Sequence, residues 1–150
     1  MLTISKQEII SRLHFDNPWW ESGRVERRYK NYPRRFYFAP FYELIKETSI
    51  NRAAVLMGPR RVGKTVMVYH AIDQLLAEGV SPNKIFYVSL ETPIYTGLSL
   101  EQLVNMLQEE FSHKRDDELF IIFDESFSFT INLLYINYYL FVFCCFFTHF

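Results

Sequence analysis

The stretch RAAVLMGPRRVGKTVMVYHAIDQLLAEG, residues 52–79, constrains the fold more than any other part of the chain. It opens on an apolar run, 52–57, that ends at Gly58 and predicts a buried strand. Residues 64–78 then put Val68, Ile72, Leu75 and Leu76 on one side, a helical spacing with Gly79 as its stop. Between the two, Gly58 to Thr65 reads GPRRVGKT and fits G-x-x-x-x-G-K-[ST] without a gap. Glycines at the fixed positions let the backbone curl with its N–H groups turned inward, where side chains would obstruct them. Lys64 supplies a cation that can reach β- and γ-phosphates, and Thr65 a hydroxyl for Mg²⁺. The helix that begins at Lys64 adds its positive dipole end. A chance glycine-rich turn would lack this strand and this helix, so the context identifies a nucleotide phosphate site. The candidate binding residues are Gly58, Pro59, Arg60, Arg61, Val62, Gly63, Lys64, Thr65 and Val66. Arg60 and Arg61 hold variable positions, and facing solvent or a neighbouring subunit is the preferred reading for them over holding the triphosphate.

The remaining elements repeat this alternation. KIFYVSL (84–90) predicts a second strand. LSLEQLVNMLQEEF (98–111) predicts a helix capped by Ser99, with Leu103, Met106, Leu107 and Phe111 inward. LFIIF (119–123) predicts a third strand. Upstream, Ser5 and Glu8 make a capping-box start for a helix over 5–14 that turns Ile9, Ile10 and Leu13 to one face. DNPWWESG breaks that helix, and residues 39–48 form another with Pro40 near its first turn. Strands alternating with helices argue for parallel βαβ units and an α/β layered fold.

The third strand runs directly into Asp124 and Glu125. Asp124 at the strand's tip can hold Mg²⁺ opposite Thr65, and Glu125 is placed to polarise an attacking water. Such a pair about 60 residues after a phosphate loop favours a catalytic role over an ordinary charged turn. Together, AAVLMGPRRVGKTVMV, KIFYVSLE and LFIIFDE resemble the prokaryotic AAA-type ATPases of the P-loop NTPase superfamily. The likeness is greatest to the group whose N-terminal ATPase domain precedes a poorly characterised C-terminal domain. It covers residues 35–125 and implies a three-layer fold around a parallel sheet, with ATP and Mg²⁺ as cofactors. Carried over residue by residue, Lys64 and Thr65 are the phosphate and magnesium residues of the Walker A motif. Asp124 and Glu125 are the magnesium and water-activating residues of the Walker B motif, with Glu125 and Lys64 catalytic. The parent activity implied is ATP hydrolysis, and a chain truncated after Walker B is expected to bind ATP without efficient turnover. A homo-oligomer is one possible assembly, and the resemblance names no protein or nucleic-acid partner.

Outside this core, residues 1–34 form an N-terminal helix and a basic linker. The linker carries Arg24, Arg27, Arg28, Lys30, Arg34 and Arg35 against Glu26 alone, with Tyr29 and Tyr32 between. It offers a nucleic-acid contact. A net charge of −1 over the chain makes docking on the body of the protein, or a solvated face, the better reading. His70 is expected at the surface or an edge, His113 has no partner at ligand spacing, and Glu91 caps a turn. No signal segment opens the chain. Its only cysteines, the adjacent Cys144 and Cys145, offer neither a disulfide framework nor a metal site, which fits a reducing cytoplasm.

From Ser126 to Phe150 the chain changes character: no Asp, Glu, Lys, Arg, Gly or Pro occurs there. The family pattern continues after the acids with a polar helix and a strand bearing a sensor for the γ-phosphate, so the resemblance implies a domain truncated after Walker B. Three readings of the tail stand. Translation in a wrong frame accounts for the suddenness and is preferred. A membrane anchor over 131–150 has the length of a spanning helix, about 30 Å, but is interrupted by Asn132 and Asn137 and lacks flanking bases. Lastly, the aromatic run forms the missing central strand. Without such a strand the sheet has a gap beside the phosphate loop and an open apolar edge.

Overall fold

The computed structural model describes residues 4–47, 49, 52–59, 61–114, 116–124 and 140–146. Helix α1 (Lys6–Asp16) starts at the predicted capping box: the Ser5 hydroxyl accepts from the Glu8 N–H, and the Glu8 carboxylate accepts from the Ser5 N–H at 2.7 Å. Two single-turn helices, α2 (Trp19–Ser22) and α3 (Arg27–Lys30), lead into α4 (Phe38–Lys46). Strand β1 (Arg52–Gly58) and helix α5 (Lys64–Ala77) flank the phosphate loop as the periodicity predicts. Gly79 ends α5 in the left-handed region (φ 92°), so that the Val80 N–H reaches back to the Leu75 carbonyl at 3.0 Å. Strand β2 (Ile85–Ser89), helix α6 (Leu100–Phe111, capped by Ser99) and strand β3 (Phe120–Asp124) follow within a residue or two of expectation.

All four described strands are parallel, in the order β1-β4-β3-β2, where β4 is Leu140–Phe146. The sheet position beside the phosphate-loop strand, expected to be vacant, is therefore filled. Phe143 pairs with Val55 of β1 on one side and with Phe123 of β3 on the other. The reading that the aromatic run supplies a central strand is the one that describes 140–146. A central parallel strand reads as an unbroken apolar run, and LFVFCCF is one. These seven residues lie in a strand and not in a membrane-spanning helix. Among the described residues, no helix is long and apolar enough to cross a membrane. The other tail residues, 126–139 and 147–150, lie outside the described residues.

Side chains alternate across the sheet into two cores, which makes three layers. Ile85, Tyr87, Phe120 and Ile122 pack with α4 and α5, through Tyr42, Ile45, Val68 and Ile72. Phe86, Val88, Ile121 and Phe123 pack with α1 and α6, through Ile9, Leu13, Leu103 and Leu107.

The free edge of β2 is closed by the segment read from sequence only as a helix breaker. Asn17, fully buried, accepts from the Tyr87 N–H at 2.7 Å and donates to the Tyr87 carbonyl at 2.8 Å. One side-chain amide thus pairs with the edge as a neighbouring strand would. The indole N–H groups of Trp19 and Trp20 both donate to the Ile85 carbonyl, at 3.0 and 2.9 Å. Edge groups left unmet would otherwise offer pairing to another chain.

Candidate functional site

The C-terminal ends of β1 and β3 bring the two predicted motifs together. Gly63 caps α5 in the left-handed region, at φ 85° and ψ 23°, and its carbonyl accepts the first helical bond from the Met67 N–H at 3.0 Å. A Cβ at Gly63 would also lie 3.2 Å from Arg35 Nη2. Gly63→Ala is therefore expected to lower stability by about 1–2 kcal/mol, measured by urea unfolding, because an L side chain in that region is strained. Arg61 holds the same region at φ 65° without being glycine, and its side chain is exposed, as expected of a variable loop position. Arg60 lies outside the described residues.

Lys64 is buried, with 6% of its surface exposed, and its ammonium donates to the carbonyls of Gly58 at 2.7 Å and Pro59 at 2.6 Å. A cation held under the loop by the loop's own carbonyls is poised to exchange those partners for phosphate oxygens. Thr65 Oγ1 donates to Asp124 Oδ2 at 2.9 Å, joining residues 59 apart in sequence. Asp124 is buried, and its Oδ1 has no hydrogen-bond partner among the described residues. A buried carboxylate oxygen left unpartnered is costly unless something is to meet it. The donor set beside it, a hydroxyl and a carboxylate, suits a hard cation such as Mg²⁺, which usually takes one or two protein ligands and completes its shell with water and phosphate. Among the described residues, no cluster of three His, Cys, Asp or Glu side chains could hold a metal unaided. Glu125, the predicted water-activating residue, lies outside the described residues.

Sequence reasoning missed two side chains at this site. Tyr87, inside β2, donates from Oη to the same Asp124 Oδ2 at 2.7 Å. A phenol hydroxyl inside a buried strand, two residues before the end level with Asp124, was the available signal. Arg35 reaches the loop from the basic linker and donates from Nη2 to the Val62 carbonyl at 3.0 Å.

Three further linker residues dock along α5. Tyr29 stacks on Tyr69 with ring centroids 3.9 Å apart. Lys30 pairs with Asp73 at 2.6 Å, and Arg34 donates to Gln74 at 2.7 Å. His70, expected at the surface or an edge, is instead buried, with Nε2 2.8 Å from the Tyr29 carbonyl. The correction has a simple cause: the linker covers the helix face that would otherwise meet solvent. Burial first, and Tyr29 second, push the Tyr69 phenol upward and keep it neutral. Tyr29, Lys30, Arg34 and Arg35 thus engage α5 or the loop, while Arg24, Arg27 and Arg28 are exposed. His113 is placed with its Nε2 2.7 Å from the Asn83 carbonyl. Glu91 sits exposed in the turn after β2.

Comparison with curated proteins and with solved structures returned no match. Comparison with protein families did: the family described as "AAA domain" matches residues 50–140, more than half of the 150-residue chain. That span holds β1, the phosphate loop, α5, β2, α6 and β3, and it reaches the first residue of β4. By sequence match and by the meeting of its two motifs, the chain belongs to the AAA domain family.

Proposed function

We propose that the chain binds ATP over Gly58–Val66 and hydrolyses it with Mg²⁺. The observation that carries this is the contact of Thr65 with Asp124 at 2.9 Å, beside a buried carboxylate oxygen that has no partner among the described residues. In this reading Lys64 binds the β- and γ-phosphates, and the inward N–H groups of the loop hold the remaining phosphate oxygens. Thr65 and Asp124 hold Mg²⁺, which when bound neutralises charge between the phosphates. Glu125, the residue after Asp124, orients a water for attack and draws on its proton. The family supplies nucleotide binding and ATPase activity in general. Magnesium dependence and these residue roles are the proposal.

Titration of the purified chain with ATP, in Mg²⁺ and in EDTA, tests it alongside a phosphate-release assay. Saturable binding that tightens with Mg²⁺, accompanied by release, is expected. Absence of binding in both buffers would overturn the reading.

A further inference from the structure

Resting on the nucleotide reading above, we infer that Tyr87 is a positioning residue for the magnesium carboxylate, selecting which Asp124 oxygen stays open to the cation. Three observations converge on it. The phenol donates to Asp124 Oδ2 at 2.7 Å, and Thr65 Oγ1 donates to that same oxygen at 2.9 Å. Oδ1 of the same carboxylate is buried and has no partner among the described residues. Two donors on one oxygen fix the rotation of the carboxylate about its Cβ–Cγ bond and leave the other oxygen to a cation. Outer donors of this kind orient a metal's ligands without touching the metal.

Tyr87 is itself held from two directions. Its backbone N–H and carbonyl are both engaged by Asn17, at 2.7 and 2.8 Å. Its ring lies against Tyr69, centroids 5.2 Å apart, and Tyr69 stacks in turn on Tyr29 of the docked linker. The phenol therefore cannot swing away without disturbing the closed sheet edge or the α5 face. Thr65 can offer Mg²⁺ a lone pair while its proton stays on Asp124 Oδ2, and Tyr87 is the second donor that holds that oxygen in place.

Tyr87→Phe removes this donor and keeps the ring. In the full chain, ATP affinity measured in EDTA is expected to equal that of the parent. The Mg²⁺ concentration that half-saturates the tightening of ATP binding is expected to rise about tenfold, the loss of one hydrogen bond to a charged group. An unchanged Mg²⁺ midpoint overturns the inference. Equal weakening in EDTA and in Mg²⁺, with a lowered thermal midpoint, also overturns it, since Tyr87 would then act only through the fold. If the parent chain binds no ATP, the nucleotide reading fails and takes this one with it. If the parent binds and the Tyr87→Phe midpoint does not move, this inference fails alone.

Discussion

Lys64→Ala is expected to weaken ATP binding by a factor between about 10² and 10⁴. The ammonium would make two charge-assisted bonds to phosphate, each contributing about 1.5–3 kcal/mol, and 1.4 kcal/mol is tenfold in affinity. The cation also needs little rearrangement, because it already sits buried beneath the loop on the Gly58 and Pro59 carbonyls. Equilibrium titration with ATP measures the loss, and circular dichroism shows whether the loop's own structure has gone with it. Glu125→Gln is the informative partner: binding should persist while phosphate release is lost, since the substitution removes a base and leaves the phosphate contacts alone. Retained affinity in Lys64→Ala would mean that the loop is a structural turn. Persisting release in Glu125→Gln would remove that residue from the chemistry and leave the binding site standing.

Trp19→Ala should lower the stability of the chain by about 3–5 kcal/mol, the range for emptying a buried aromatic site. For a domain stable by about 5–15 kcal/mol in all, that is a large share. Trp19 is fully buried, crosses Tyr69 edge-on with centroids 6.1 Å apart, and donates its indole N–H to the Ile85 carbonyl at 3.0 Å. The substitution thus opens a cavity and uncovers the sheet edge together. Urea unfolding followed by circular dichroism gives the number. A loss below about 1 kcal/mol would show that residues 17–20 lie outside the cooperative unit that holds the sheet. Asn17→Ala should act in the same direction, because both the N–H and the carbonyl of Tyr87 would lose their partner.

Much of the fold was legible residue by residue where the signal was local. Ser5 with Glu8 and Ser99 with Gln102 both form capping boxes, and the helices they start keep the expected inward faces. The loop residues from Gly58 to Thr65 announced their strand and helix because backbone curvature there depends on glycine at set positions. The pairing of Thr65 with Asp124 was legible for another reason: each ends or begins an element whose place in a parallel sheet follows from the order of strands and helices. The segment DNPWWESG does end α1 as read, but its sealing of the sheet edge was not legible, since Asn-Pro and Ser-Gly mark a break equally well whether the residues between them face water or seal a sheet. His70 misled, because its burial depends on a linker some 40 residues earlier, whose Tyr29 carbonyl lies 2.8 Å away.

The tail shows the same boundary. Composition alone allowed an accident of translation, an anchor or a strand, since all three ask only for apolar residues without charge. Its seven described residues take the strand position because β1 and β3 present parallel edges that one more strand can satisfy on both sides. By itself, then, the sequence determined the strand, loop and helix at residues 52–79, the capped helices, and the pair of motifs, all of them written in short-range period and backbone preference. Only the tertiary structure decided the order β1-β4-β3-β2, the closing of β2 by Asn17 and Trp19, and the grip of Tyr87 on Asp124. Those contacts join residues far apart in the chain, 37 for the last of them, and are selected by which groups a packed core leaves unsatisfied, a quantity with no local signature.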